Sequence, residues 1–166
     1  MKKAPIKKGL AIAKKLYAEY NTINGRVNDI NYGGCGIFAE HLYLTLIKLK
    51  IKAELVVICP KAEAMDQRIL TGQRSWGADA IGHILVRVDN KLFDSEGVYS
   101  SHKKVGTYYQ SGYSELSEKL TLPVLKKWNG NPNQWNYRFN RKDIPVIKKE
   151  FKEAYIKINT NLVVSE

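Results

Sequence analysis

The sequence predicts an α+β fold in which a buried helix packs on a small antiparallel β-sheet, with extra helices at both ends. Three observations predict it. A strongly apolar helical stretch opens at Gly33-Gly34-Cys35 and runs to about Lys50. A short β-rich run, Ala53 to Cys59, follows and stops at Pro60. A second β-rich run, HILVRV, is joined through Asp89-Asn90 to KLFDS, the pattern of a tight hairpin.

The elements follow in order. Residues 5–20 place Ile6, Leu10, Ala13, Tyr17 and Tyr20 at helical spacing with lysines on the other face, which predicts a first helix. Asn24-Gly25 marks a turn, and the polar loop RVNDINYGG follows. The next helix carries Phe38, Leu42, Leu46 and Leu49 on one stripe, with Ile37 and Leu44 elsewhere. Apolar over so much of its circumference, it is expected to be the central, buried one. Ala53 to Cys59 reads as a buried strand, and Cys59 as a structural residue within it. Residues 60–80 read as irregular, with a short helix near Ala62 to Gln67. Beyond Gly97 the chain is Tyr-rich and shows no clear period. The stretch KKWNGNPNQWNYRFNRK reads as an aromatic, basic loop. Asp143 is placed to cap a last helix with Pro145 in its first turn and Ile144, Ile147, Phe151, Tyr155 and Ile158 at apolar positions.

Length argues for a single domain over residues 1–166, with a core of about 21–100 and a helical, aromatic-basic extension over 101–166. Two cysteines are too few for a disulfide framework or a CxxC-type zinc site, so neither a metal nor a cofactor is expected. Lysines interrupt the N-terminal apolar stretch before a signal-peptide core can form. No run of about 18 apolar residues is present either. The expectation is a cytoplasmic protein with a lone reduced thiol. The net charge of +11 points to an acidic partner such as nucleic acid, although the lysines are spread along the chain. Trp128, Trp135, Tyr137, Arg138, Phe139 and Arg141 interleave aromatics with arginine, a combination that can stack bases and hold phosphates, although packing into the domain's own core is the favoured reading.

The chemistry centres on Cys35. A thiolate is the reactive form of cysteine, and a helix N-terminus beside an imidazole favours it. Gly33 and Gly34 would let the backbone bend tightly there and let a substrate carbonyl approach the helix-start amides, which can form part of an oxyanion hole. The chain holds three histidines, His41, His83 and His102. His41 lies about 600° of helical rotation beyond Cys35 and faces away. His102 falls in a polar stretch. His83 begins the first hairpin strand. With Asp89-Asn90 as the turn, Val88 faces Lys91 and Leu85 faces Asp94, so Asp94 lies diagonally from His83 on the same face. Glu96 lies directly opposite His83 and is the fallback orienting acid. Gln67, Gln73 and Trp76 are placed to line a cleft.

These residues resemble a known family. NYGGCGIFAEHLYLTLIKLKIKAELVVI resembles the nucleophile helix and following strand of transglutaminase-like proteins and arylamine N-acetyltransferases. GHILVRVDNKLFDSEGV resembles their His strand, tight turn and Asp strand. The resemblance spans residues 31–98 and implies a papain-like fold with a Cys-His-Asp order, in which Cys35 is nucleophile, His83 base and Asp94 orienter. It also implies that a side-chain amide just before the cysteine, Asn31 or Asn28, completes the oxyanion hole. The hairpin is shorter than is typical of transglutaminase-like domains, and alignment on its turn would put Glu96 at the family's Asp; strand pairing favours Asp94. His83 lacks the neighbouring tryptophan that many relatives have. Residues before Asn21 and after Ser100 match no pattern, and cell-wall peptidases of papain-like fold share the same logic. The implied activity is amide hydrolysis or acyl transfer on a protein or peptide substrate through a thioester. The alternative is a basic, non-catalytic binding module on the same scaffold, as an accessory or virus-encoded factor.

Overall fold

A computed structural model describes residues 4–22, 30, 34–59, 82–108, 115–131 and 139–163. The described elements run α1 (Ala4–Thr22), α2 (Cys35–Lys48), β1 (Glu54–Cys59), β2 (His83–Val88), β3 (Lys91–Phe93), β4 (Val98–Tyr99), α3 (His102–Tyr108), β5 (Glu115–Leu120), α4 (Leu122–Gly130), a 3-10 turn (Arg141–Asp143) and α5 (Ile144–Val163). The class is α+β. The strands form one antiparallel sheet in the order β4-β3-β2-β1-β5.

Helix α2 is apolar around most of its circumference because it is surrounded. It packs on β2 and is flanked by α4 and α5. Ile37, Phe38, Leu42 and Leu46 are buried within one cluster that also takes Leu16 and Tyr20 of α1 and Ile147 and Phe151 of α5. Three aromatic rings knit the helices together. Tyr20 stacks on Phe151 at 4.6 Å, and Phe38 meets Tyr20 and Phe151 edge-on at 5.2 and 5.3 Å. Such pairs each add about 0.5–1.5 kcal/mol beyond their burial.

The sheet is buried on both faces, as its nearly continuous apolar runs require. Leu55, Val57, Ile84, Val86, Val88 and Phe93 face the helical cluster. Val56, Ile58, Leu85 and Leu92 form a second cluster with Val105 of α3. The hairpin has the expected register, Val88 opposite Lys91 and Val86 opposite Phe93. Asp89 takes the left-handed conformation at φ 53, which a short polar side chain tolerates.

The second half of the chain differs from the sequence reading. Residues 101–166 were expected as an extension, but β5 pairs with β1 and α4 and α5 help bury α2. The stretch expected to be one aromatic-basic loop instead begins as the end of α4 and finishes in the 3-10 turn. Its Trp128 and Phe139 are 3% and 6% exposed and sit in the core, closed to base stacking. Trp135, Tyr137 and Arg138 lie outside the described residues. Asn140 caps the 3-10 turn by accepting from the Lys142 N–H at 3.0 Å, and Asp143 stands directly before α5. β5 escaped the sequence reading because ELSEKL is polar and lacks β-branched residues; its pairing with β1 makes it a strand. No described helix is long and apolar enough to cross a membrane.

Candidate active site

Cys35 is the first residue of α2. The turn before it is tight. Gly34 N–H donates to the Ile30 carbonyl at 2.6 Å, and the Gly34 carbonyl accepts the Phe38 N–H at 3.0 Å, opening the helix. A β-carbon at position 34 would stand 2.6 Å from the Phe139 ring and 2.7 Å from the Ile30 carbonyl. Gly34 is therefore required by close approach, not by its φ of −109°. The N–H groups of the first helical turn have no carbonyl within the helix to receive them, which leaves donors beside the sulfur.

His83 is the first residue of β2, opposite Ile58 at the end of the β1 ladder. Its Nε2 is 2.8 Å from Asp94 Oδ2. The same ring is hydrogen-bonded to Cys35. Since Nε2 is engaged by Asp94, Nδ1 is the nitrogen left to face the sulfur. Cys35, His83 and Asp94 are thus consecutive members of one hydrogen-bonded chain, all buried, at 3%, 3% and 0% exposure.

Asp94 follows β3 directly and is held from its far side. Its Oδ1 accepts the Glu96 N–H at 2.8 Å, the Gly97 N–H at 2.9 Å and the Tyr99 hydroxyl at 3.4 Å. This Asx-type turn leaves Oδ2 aimed at the imidazole. Glu96 is exposed, and what it contributes to Asp94 is its backbone N–H. The choice that strand pairing left between two acids is therefore resolved: Asp94 binds His83.

Burial by itself pushes the His83 imidazole towards the neutral form. The hydrogen bonds to Asp94 and Cys35, with the charge on each, outweigh burial and raise its pKa from 6.5 to about 10. A protonated ring donates from both nitrogens, to the carboxylate and to sulfur.

The other histidines lie elsewhere. The His41 ring packs 6.3 Å from that of Phe151, and burial, only partly offset by Glu40, lowers its pKa. His102 was expected in a polar loop but opens α3. Asn28, Asn31, Gln67, Gln73, Trp76 and the helix expected near Ala62 lie outside the described residues. Cys59 ends β1. Among the described residues no group of three His, Cys, Asp or Glu is arranged to hold a metal ion.

Two parts of the site were missed in the sequence. The Asx turn was legible, because Asp94-Ser95-Glu96-Gly97 has the acid and the glycine that such turns favour. Asn129 carried no such signal. Its side-chain amide donates to the Gly36 carbonyl at 3.1 Å and to Glu40 Oε2 at 2.6 Å, across 93 and 89 residues of chain.

Comparison with protein-family models, curated proteins and solved structures returns no match.

Proposed function

We propose that the protein is a cysteine-nucleophile amide hydrolase or acyl transferase on a papain-like, transglutaminase-like scaffold, with Cys35 as nucleophile, His83 as acid and base, and Asp94 as orienter. One observation carries the reading: a single buried imidazole is shared between a helix-start cysteine and a carboxylate that is itself fixed by two backbone amides. A buried ionisable chain of this kind is costly to assemble, and reactive thiols are found in such settings.

In the proposed reaction the Cys35 thiolate attacks the carbonyl carbon of an amide and forms the C–S bond. The negative charge moves to the carbonyl oxygen, where the first-turn N–H groups of α2 can receive it. His83 gives its proton to the leaving nitrogen as the C–N bond breaks, which leaves a thioester and a neutral imidazole. Water or an amine then attacks the thioester, His83 takes the proton of that nucleophile, and the thiol leaves as thiolate. Asp94 holds the ring in the required tautomer throughout.

The test is the pH dependence of Cys35 alkylation by iodoacetamide. Because Cys35 is buried, the absolute rate also reports access, so the shape of the profile is the diagnostic. A thiolate held by an imidazolium alkylates at a nearly constant rate from pH 6 to 8. An isolated thiol rises about tenfold per unit over that range. The expected result is a flat profile in wild type and a steep one in His83→Ala. A steep wild-type profile rejects the reading.

A binding role for the basic surface is the second reading, and it rests on the net charge of +11. Burial of Trp128 and Phe139 removes two of the aromatics that motivated it, and Arg141 donates to the Asn129 carbonyl at 2.6 Å. Salt-dependent retention of single-stranded DNA or RNA would support it.

A further inference from the structure

We infer that Asn129 is a positioning residue for Cys35, and that the α4 end and the following 3-10 turn form a brace on the nucleophile turn. This rests on the reading of Cys35 as a nucleophile.

Asn129 is a polar side chain 6% exposed, in the last turn of α4. A primary amide nitrogen carries two hydrogens, and here each has an acceptor. One bond goes to the carbonyl of Gly36, the residue next to Cys35, and the other to the Glu40 carboxylate one turn further along α2. A glycine in the first turn of a helix weakens that turn, because it is the residue with the most backbone freedom to lose. Anchoring its carbonyl from outside restrains the segment that must hold the sulfur against His83. Glu40 gives the amide a charged acceptor, and hydrogen bonds to ionised groups are the stronger kind.

Asn129 is itself held. Arg141 donates to the Asn129 carbonyl at 2.6 Å and to the Asn131 carbonyl at 3.4 Å. Phe139, two residues before Arg141, lies against Gly34 on the other side of Cys35. Gly34 and Gly36, the two neighbours of the nucleophile, are thus held by Phe139 and Asn129 respectively. A core of residues 21–100 would lack this grip.

The experiment compares iodoacetamide profiles of Cys35 from pH 6 to 8 in the full chain. The set is wild type, His83→Ala, Asn129→Ala, Arg141→Ala and Leu125→Ala, each checked for cooperative thermal unfolding. Leu125 is fully buried on α4, and its truncation weakens the packing of α4 without removing the Asn129 bond to Gly36. Asn129→Ala is expected to steepen the profile and to lower the rate at pH 6.5 about fivefold or more, since a thiol released from its imidazolium is mostly protonated there. Arg141→Ala is expected to move the same way by about twofold. Leu125→Ala is expected to lose stability and keep the flat profile. A flat profile in folded Asn129→Ala overturns the inference and leaves Cys35 as nucleophile. So does a steepening in Leu125→Ala equal to that in Asn129→Ala, which would mark general loosening of α4. If Asn129→Ala does not fold, an unchanged profile in Arg141→Ala overturns it. A steep wild-type profile rejects the nucleophile reading, and the positioning role with it.

Discussion

His83 Nε2 lies 2.8 Å from Asp94 Oδ2, whereas Glu96, the other acid just after β3, is exposed. The pair spans 11 residues of a tight hairpin and is closed by the Asx turn around Asp94.

Asp94 and Glu96 should therefore separate cleanly on mutation. Asp94→Asn keeps the shape but removes the charge that helps hold the His83 proton. Its Cys35 alkylation at pH 6.5 is expected to fall on the order of tenfold, towards that of an isolated thiol. Glu96→Gln keeps the backbone N–H that Asp94 uses and is expected to stay within about twofold of wild type. Equal losses in both variants would assign the orienting role to Glu96 as well.

The His83 proton has a thermodynamic consequence. A folded-state pKa raised from 6.5 to about 10 means that the ring's contribution to stability is complete below about 6.5 and is lost as pH rises through about 10. Urea midpoints of wild type should thus decline between pH 7 and 10, and His83→Gln should flatten that decline. Ring-proton NMR checks the same assignment. No midpoint near 6.5 is expected for His83, and Cys35→Ala should lower its pKa by removing one hydrogen bond and one charge. A wild-type His83 midpoint near 6.5 contradicts the ion pair.

Gly34→Ala should destabilise the fold by about 1–3 kcal/mol, the usual cost of forcing extra volume into a packed site. Pairing it with Phe139→Leu should not restore stability, because the Ile30 carbonyl would still stand 2.7 Å from the new β-carbon. Recovery in the double variant would mean that the ring alone sets the requirement for glycine.

Tyr99 contributes the longest of the three bonds to Asp94 Oδ1, at 3.4 Å. Tyr99→Phe is expected to cost under about 1 kcal/mol and to leave the Cys35 profile unchanged. Gly97→Ala would bring a β-carbon to 3.0 Å from the Tyr99 ring carbon and hydroxyl. Its cost should largely vanish in a Tyr99→Leu background, measured by urea denaturation.

Glu54 and Arg87 face each other across β1 and β2, with Nε to Oε2 at 2.7 Å and both side chains about a quarter exposed. A double-mutant cycle to alanine should give a coupling of about 0.2–1 kcal/mol, reduced at high salt.

Local signals carried α1, α2, β1 and the β2–β3 hairpin. Apolar periodicity placed α1 and α2, and α2's apolar circumference announced its burial. The residues turned inward on α1, Ile12, Ala13, Leu16 and Tyr20, follow a stripe slightly rotated from the expected one, because α5 as well as β2 packs there. The Asp89-Asn90 turn set the hairpin register, and that register put Asp94 beside His83. Each of these relationships spans few residues, so period and turn chemistry suffice to specify it. Tertiary structure decided the rest. The polar β5 is a strand only because β1 offers it a partner. Trp128 and Phe139 enter the core rather than serving a binding face, because α4 packs on α2 and Phe139 lies against Gly34. Asn129 reaches Gly36 across 93 residues, and no periodicity in either segment encodes that meeting. The sequence by itself determined a helix-start cysteine, a strand-start histidine and the acid diagonal to it. Only the packed chain decided that the three share one hydrogen-bonded line, and that the second half of the molecule holds the turn on which the cysteine sits.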